Sequence, residues 1–305
     1  MIDQTYRSST LNQVKGIILA GGTGSRLWPL TKKTSKQLLP VYDKPMIYYP
    51  LSTLMLAGIK EVLIITTPQD SSDFQDLLGD GTALGISISY AIQPKPEGLA
   101  QAFIIGEDFI QNNPVALILG DNIFHGPGLG RRLSKIYNPE GATIFGVKVK
   151  DPQRYGVVEV SAGGNILSIE EKPVNPKSNL AVPGLYFFDG TVSARAKEVK
   201  RSSRGELEIT SVIESYLNEG KISFRSFEPN TAWMDCGTVD SLNEAANYVQ
   251  SIEKKIDLKI GCIEEISFRQ GWIDSQQLEE LANSLGTNEY SAYLRKLKTL
   301  DENDR

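Results

Sequence analysis

The sequence predicts an α/β protein, a mixed and mostly parallel sheet flanked by helices, with a helical C-terminal extension. Three observations carry that expectation. Through the first half, short apolar runs alternate with helical stretches, the rhythm of parallel strands covered on both faces. From about Tyr155 the strands follow one another across a tight turn instead, and from Ser267 onward only helical segments are read.

In order, the first strand is Val14 to Leu19, apolar except at Lys15 and Gly16. A helix near Pro45 to Ala57 follows, then a strand at Val62 to Thr66, a helix near Asp70 to Leu78, a strand at Ile86 to Ala91, a helix near Leu99 to Phe109 and a strand at Val115 to Leu119. Tyr155 to Val160 and Ile166 to Glu170 flank the turn Ala162, Gly163, Gly164, Asn165, a hairpin signal. Val182 to Phe188 reads as a further strand, Glu208 to Leu217 as a helix, Ile222 to Phe227 as a strand, and Thr238 to Ile252 as a helix with Thr238 at its N-cap. Helices near Ser275 to Ala282 and Glu289 to Leu297 precede the charged tail Asp301 to Arg305. With no internal repeat and no low-complexity linker, the chain divides into a polar N-terminal extension (1–13), one α/β domain (14–255) and a helical C-terminal region (256–305).

At 305 residues the chain is long enough to bury a sizeable core. Its formal net charge of −5 gives no general footprint for nucleic acid, so a bound anion must be met by a local cluster of cations. The first thirteen residues lack the basic start and apolar core of a secretory signal, and no apolar run approaches the ~20 residues needed to span a membrane, so a cytoplasmic location is expected. Cys236 and Cys262 are too few and too far apart for a disulfide framework or a zinc site. The single histidine, His125, removes Ser-His-Asp chemistry and most histidine metal sites unless that one residue serves. An enzyme of this composition must work with carboxylates, lysines, arginines and a hard cation.

In such sheets ligands gather at the carboxyl ends of the strands. The first strand runs directly into Gly21, Gly22 and Gly24, which let backbone N–H groups approach an anion closely, and Arg26 and then Lys36 follow. A guanidinium forks onto phosphate oxygens and an ammonium acts as a point charge, so the segment reads as a polyphosphate site. It is not a P-loop, since no Lys-Ser/Thr pair follows at the required spacing, and a dinucleotide fingerprint would need glycine where Leu27 stands. The alternative is a tight strand-to-helix turn with no ligand. Asp121 and Asn122 lie just past the strand that ends at Leu119, where a carboxylate serves either as a Mg²⁺ ligand beside a triphosphate or as a turn residue. Asp235 in TAWMDCGT is a second carboxylate that, with Asp121, would clamp one cation. Gln93, in the proline-stiffened QPKPEGLAQA, offers a donor and an acceptor to a base edge. IEEKP and RGELEIT each pair glutamate with a cation, suited to sugar hydroxyls and a phosphate or else a solvated face.

LAGGTGSRL, KQLLPVYDKPMIYYPL, QPKPEGLAQA, LGDN, RYGVVE, EEKP, RGELEIT and WMDCGT, in this order, resemble the sugar nucleotidylyltransferase family from about Val14 to at least Tyr293. The resemblance is strongest to members that transfer a thymidylyl group from dTTP to glucose 1-phosphate and release pyrophosphate, the first step of dTDP-rhamnose and other deoxysugar synthesis for cell-surface polysaccharide. It implies a Rossmann-like mixed sheet. By position it assigns Gly21, Gly22, Thr23, Gly24, Ser25, Gln37 and Asp121 to nucleotide binding and Gln93 and Gly98 to the thymine. Arg26, Lys36 and Lys172 take the catalytic roles, and Asp121 and Asp235 hold Mg²⁺. The sugar phosphate falls to Asn122, Tyr155, Gly156, Glu171, Lys172, Val182, Arg204, Glu206 and Trp233. Pro183 stands where the family usually carries threonine or a similar residue. In long-chain members the C-terminal region helps form a homotetramer and a second nucleotide-sugar site for feedback inhibition by dTDP-rhamnose. Glu265, Ile266 and Arg269 match the segment lining that site. A uridylyltransferase, a catalytically silent nucleotide-sugar-binding regulator and a nicotinamide-dependent oxidoreductase are the competing readings. The missing third glycine disfavours the last.

Overall fold

The computed structural model describes residues 14–303, so the polar extension at 1–13 and the last residues of the charged tail lie outside the described residues. Fourteen strands are present among them: β1 (Lys15–Ala20), β2 (Pro40–Val41), β3 (Lys44–Pro45), β4 (Glu61–Thr66), β5 (Ser87–Ile92), β6 (Val115–Leu119), β7 (Asn122–His125), β8 (Ala142–Lys148), β9 (Gly156–Val160), β10 (Ile166–Glu171), β11 (Leu180–Val182), β12 (Leu185–Phe188), β13 (Ile222–Ser226) and β14 (Ala232–Asp235). The helices are α1 (Tyr48–Leu56), α2 (Ser71–Leu78), α3 (Gln101–Ile105), α4 (Glu107–Ile110), α5 (Leu129–Leu133), α6 (Val192–Glu198), α7 (Ile209–Asn218), α8 (Val239–Ile256), α9 (Ile263–Arg269), α10 (Ser275–Ser284) and α11 (Glu289–Asn303).

Ten strands form one sheet in the order β10-β9-β11-β8-β12-β6-β1-β4-β5, with β13 also paired to β8. The β6-β1-β4-β5 half is parallel, whereas β12 runs antiparallel to β6 and β8. β1 is apolar on both faces because both faces are covered. Ile18 and Ala20 pack with Leu51, Leu54 and Phe74 from the helices on one side, and Ile17 and Leu19 pack with Phe103, Phe188 and Tyr216 on the other. The chain turns from β1 toward β4 and β5 on one flank, and returns to β6 on the other. That reversal puts a crevice at the carboxyl ends of β1 and β6.

Several elements depart from the sequence reading. β8, absent from it, is a buried strand in the interior of the sheet, and its edge away from β12 is shared by β13 at residues 142–146 and β11 at 147–148. The single strand expected at Val182 to Phe188 is two, because Pro183 has no N–H to give a ladder and the chain crosses from β9 and β8 to β6 at Gly184. The helix expected near Leu99 to Phe109 breaks at Gly106 into α3 and α4. Thr238 caps α8 as expected, accepting from the Ser241 backbone N–H at 3.2 Å in a capping box, but α8 continues to Ile256, so a boundary at 255/256 falls in its last turn.

The C-terminal helices are tied to the α/β domain. α9, also absent from the sequence reading, packs on α1, and Ser267 Oγ donates to Leu84 O at 2.8 Å. Lys44, almost wholly buried, sits between Asp43 and Glu253 Oε1 (3.0 Å), and Lys259 closes the ring by pairing with Asp43 and Glu253. Both cysteines are buried free thiols. No helix among the described residues is long and apolar enough to cross a membrane.

Candidate active site

Gly22 and Gly24 carry φ of +118° and +58°, values that glycine adopts without strain, and so turn the chain out of β1 into a 3-10 turn at Ser25–Leu27. Thr31 Oγ1 donates to Gly24 O at 2.7 Å and fixes the loop. Across the crevice, Gly120 N donates to Leu19 O at 3.0 Å, so the chain leaves β6 with Asp121 beside the glycine loop. Asn122 then starts β7, whose antiparallel partner β14 sets Asp235 opposite Asn122. Cys236 N donates to Asp121 O at 3.0 Å. Two carboxylates separated by more than a hundred residues thereby share one wall.

The two carboxylates differ in character. Burial works to raise the Asp121 pKa, but the Lys36 ammonium, in direct ion pair with it, wins and holds it below the ordinary carboxylate range. Burial raises Asp235, the Asp121 charge raises it further, and Lys36, Arg154 and Arg26 only partly offset this. A divalent cation is the species that relieves such a pair. Among the described residues no cluster of three or more His, Cys, Asp or Glu could cage a metal. A pair of carboxylates suits Mg²⁺, which keeps phosphate and water oxygens for its remaining positions.

A cleft of about 410 Å³ opens at this crevice. Gly22, Thr23, Gly24, Ser25, Arg26, Lys36, Asp121 and Asp235 line one part, and Asn122, Tyr155, Gly156, Glu171, Lys172, Val182, Arg204, Glu206 and Trp233 the other. Trp233 packs edge-on to Tyr155 with ring centroids 5.0 Å apart. Lys172 sits at φ 44°, a left-handed conformation that costs a non-glycine residue about 1–3 kcal/mol and is concentrated at functional sites. Burial raises the Glu171 pKa, partly offset by Lys172 at 3.5 Å and Arg204 at 3.8 Å. Arg204 also pairs with Glu206 and, at 3.4 Å, with Glu208.

Four of the expected contacts, Gly21, Gln37, Gln93 and Gly98, are not among the residues that line this cleft. Gln37 is buried beneath Gly120 and accepts from Ser35 Oγ at 2.7 Å. Gln93 donates through Nε2 to Gln101 Oε1 at 2.8 Å, and its amide oxygen stands so close to Gly21 that a Cβ there would clash. Gly98 is held between Leu207 N and Glu97 O (2.7 Å) and between Ala100 N and Leu207 O (3.0 Å). Asn122 lies at the wall, yet its side chain is already engaged. Its Oδ1 accepts from Trp233 Nε1 at 2.7 Å and Gly184 N at 3.1 Å, and its Nδ2 donates to Asp121 Oδ1 at 3.0 Å. It therefore positions Asp121 and Trp233. Asn122→Ala, leaving the buried Gly184 N and the half-buried Trp233 Nε1 without an acceptor, is expected to cost about 1–3 kcal/mol, measurable by urea denaturation.

Arg154, Glu208 and Thr210 line the cleft without having been singled out from sequence. Glu265, Ile266 and Arg269 sit elsewhere, on a second cavity of about 880 Å³ between α9, the β7–α5 segment and the end of α8. There Glu265 accepts from Arg269 Nε at 2.7 Å and Tyr293 Oη at 2.6 Å.

The family model described as nucleotidyl transferase matches residues 15–252. A glucose-1-phosphate thymidylyltransferase of Neisseria meningitidis serogroup A is 54% identical over 285 residues, 93% of this chain and 99% of that protein. A Bacillus anthracis crystal structure in complex with a sucrose superposes with a TM-score of 0.71 at 42% identity, covering 77% of this chain and 94% of that one. A UDP-glucose pyrophosphorylase complexed with UDP-glucose gives a TM-score of 0.70 at 27% identity, over 78% and 99% of the two chains.

Proposed function

The chain belongs to the nucleotidyl transferase family, and we propose that it transfers a thymidylyl group from dTTP to glucose 1-phosphate, releasing pyrophosphate. The observation that carries the reading is the convergence of Arg26, Lys36, Lys172 and Arg204 with Asp121 and Asp235 on one cleft. An oxygen of the sugar phosphate attacks the α-phosphorus, the α–β anhydride bond breaks, and pyrophosphate leaves with its bonding electrons. Both reactants are anions, so neutralisation and alignment are the main tasks, and no protein nucleophile or general base is required. Lys172 and Arg204 hold the sugar phosphate, while the glycine loop and Arg26 hold the triphosphate. Lys36, poised against Asp121, faces the reacting phosphates. Asp121 and Asp235 would hold Mg²⁺, which supplies further charge neutralisation at the α-phosphate when bound. The thymine is received on the side of the Gln93–Gln101 pair.

A substrate matrix of dTTP, UTP, CTP and ATP against glucose, galactose and mannose 1-phosphates tests the reading by pyrophosphate release. Highest kcat/KM is expected with dTTP and glucose 1-phosphate, with activity lost on chelation by EDTA and restored by Mg²⁺. A uridylyltransferase is the second reading, favoured by the likeness to a UDP-glucose-bound fold, since one methyl group is worth only about 1–3 kcal/mol in a pocket. A higher kcat/KM with UTP would replace the first reading by the second.

The pathway proposed for the product is dTDP-rhamnose and related deoxysugar synthesis in the cytoplasm. The cavity at Glu265, Ile266 and Arg269 is proposed as the feedback site for dTDP-rhamnose in a homotetramer. Arg269→Ala is expected to relieve inhibition by dTDP-rhamnose with kcat retained. Inhibition that stays strictly competitive with dTTP and insensitive to this substitution would place the effect in the active site instead.

A further inference from the structure

A second bay of about 720 Å³ adjoins the cleft and shares Arg26, Arg154, Lys172, Arg204, Glu206 and Asp235 with it. Its remaining wall is Thr238, Asp240, Ser241 and Glu244 at the start of α8. The four cations common to both spaces divide into two kinds. Lys172 is within 3.5 Å of Glu171, and Arg204 is paired with Glu206 and Glu208, so these two already have carboxylate partners. Among the described residues neither Arg26 nor Arg154 has an ion pair or a side-chain hydrogen bond, and the Arg154 guanidinium lies 5.4 Å from the Tyr155 ring centroid.

An arginine packed on an aromatic ring keeps its fork oriented while its donors stay open. Arg154 ends the 3-10 turn Pro152–Arg154, anchored by Arg154 N donating to Asp151 O at 3.2 Å, immediately before the residue that packs edge-on against Trp233. Its side chain is exposed, so nothing in the core requires it. Once the α–β bond breaks in the proposed reaction, the pyrophosphate separates as a polyanion held by the glycine loop and Arg26, and Arg154 is the other cation lining both spaces that has no carboxylate partner. Resting on that reaction, we propose that Arg154 is a pyrophosphate-binding residue that, with Arg26, grips the terminal phosphates of the nucleotide and passes the product into the adjoining bay. The acidic residues Asp240 and Glu244 across the bay repel a bare polyanion, which keeps the passage from becoming a trap.

The test runs the reaction backward, from dTDP-glucose and pyrophosphate, and measures magnesium pyrophosphate binding by calorimetry, with wild type, Arg154→Gln and Arg154→Lys. Losing a charge-assisted fork is expected to raise the KM for pyrophosphate about ten- to hundred-fold in Arg154→Gln, with calorimetric affinity falling in parallel. The KM values for dTDP-glucose and glucose 1-phosphate stay unmoved, and Arg154→Lys recovers part of the loss. An unchanged pyrophosphate KM and affinity in Arg154→Gln overturns the proposal, as does an equal rise in the KM for glucose 1-phosphate. A wild type that binds pyrophosphate but does not turn over dTDP-glucose refutes the proposed reaction instead, and the calorimetric comparison still decides Arg154.

Discussion

Asp121→Asn is expected to lower pyrophosphate release by about three orders of magnitude or more while the folded state persists, because it removes a fixed charge from the centre of the transition state. The substitution keeps the shape of the side chain, and the amide oxygen still accepts from Asn122 Nδ2. What vanishes is the charge that Lys36 pairs with and that would hold the metal opposite Asp235. The field of Lys36 then acts on Asp235 alone, whose burial already disfavours its charged form. Stopped pyrophosphate-release assays at saturating Mg²⁺ read the loss, and thermal melting within a few degrees of wild type shows that the fold survives. Near-normal turnover in the variant would remove Asp121 from the machinery, and with it the two-carboxylate description of the site.

Gly98→Ala tests a different claim, that this position is required by the backbone before any ligand arrives. Its φ is +113°, and an added Cβ would lie 2.5 Å from Leu207 N and nearer still to Leu207 O. Those atoms belong to the seam in which residues 97 and 100 bond to Leu207, the segment that carries Arg204 and Glu206 into the cleft. Strained backbone plus overpacking predicts a loss of about 2–5 kcal/mol and a melting temperature lower by roughly 4–20 °C. Because Leu207 lies between Glu206 and Glu208, the KM for glucose 1-phosphate should rise together with that for the nucleotide. A variant with normal melting and an altered nucleotide KM alone would show that Gly98 matters only as a contact to the base.

The parts of the site legible from sequence are those whose meaning is local. Glycines at the end of an apolar strand followed by Arg26, an aspartate just past another buried strand, and a threonine at a helix start each announce themselves within a few residues. Arg154 opens the motif RYGVVE but had no role assigned to it, since only the fold sets it beside Arg26 and Lys172. Asn122 lines the cleft, but its hydrogen bonds were not legible, because the donors it satisfies come from Gly184 and Trp233, far along the chain. β8 escaped because a buried strand in the interior of the sheet shows no alternation to flag it, and α9 because its charges interrupt the apolar pattern.

The chain by itself determined the layered α/β architecture and the groups available for chemistry: a glycine-rich turn after the first strand, four cations, two carboxylates and a single histidine. Hydrophobic periodicity and glycine conformation are properties of short segments, so they survive without knowledge of the rest. Tertiary structure alone showed which strand pairing makes Asp121 and Asp235 neighbours, how Gln37 and Gln93 pack against Gly120 and Gly21 and Gly98 against Leu207, and that Arg154 lines the same cleft. Each of these depends on pairings such as β7 with β14, or Gly98 against Leu207, between segments about a hundred residues apart. Strands of four residues in polar surroundings carry too little pattern to fix such a pairing before the sheet has formed.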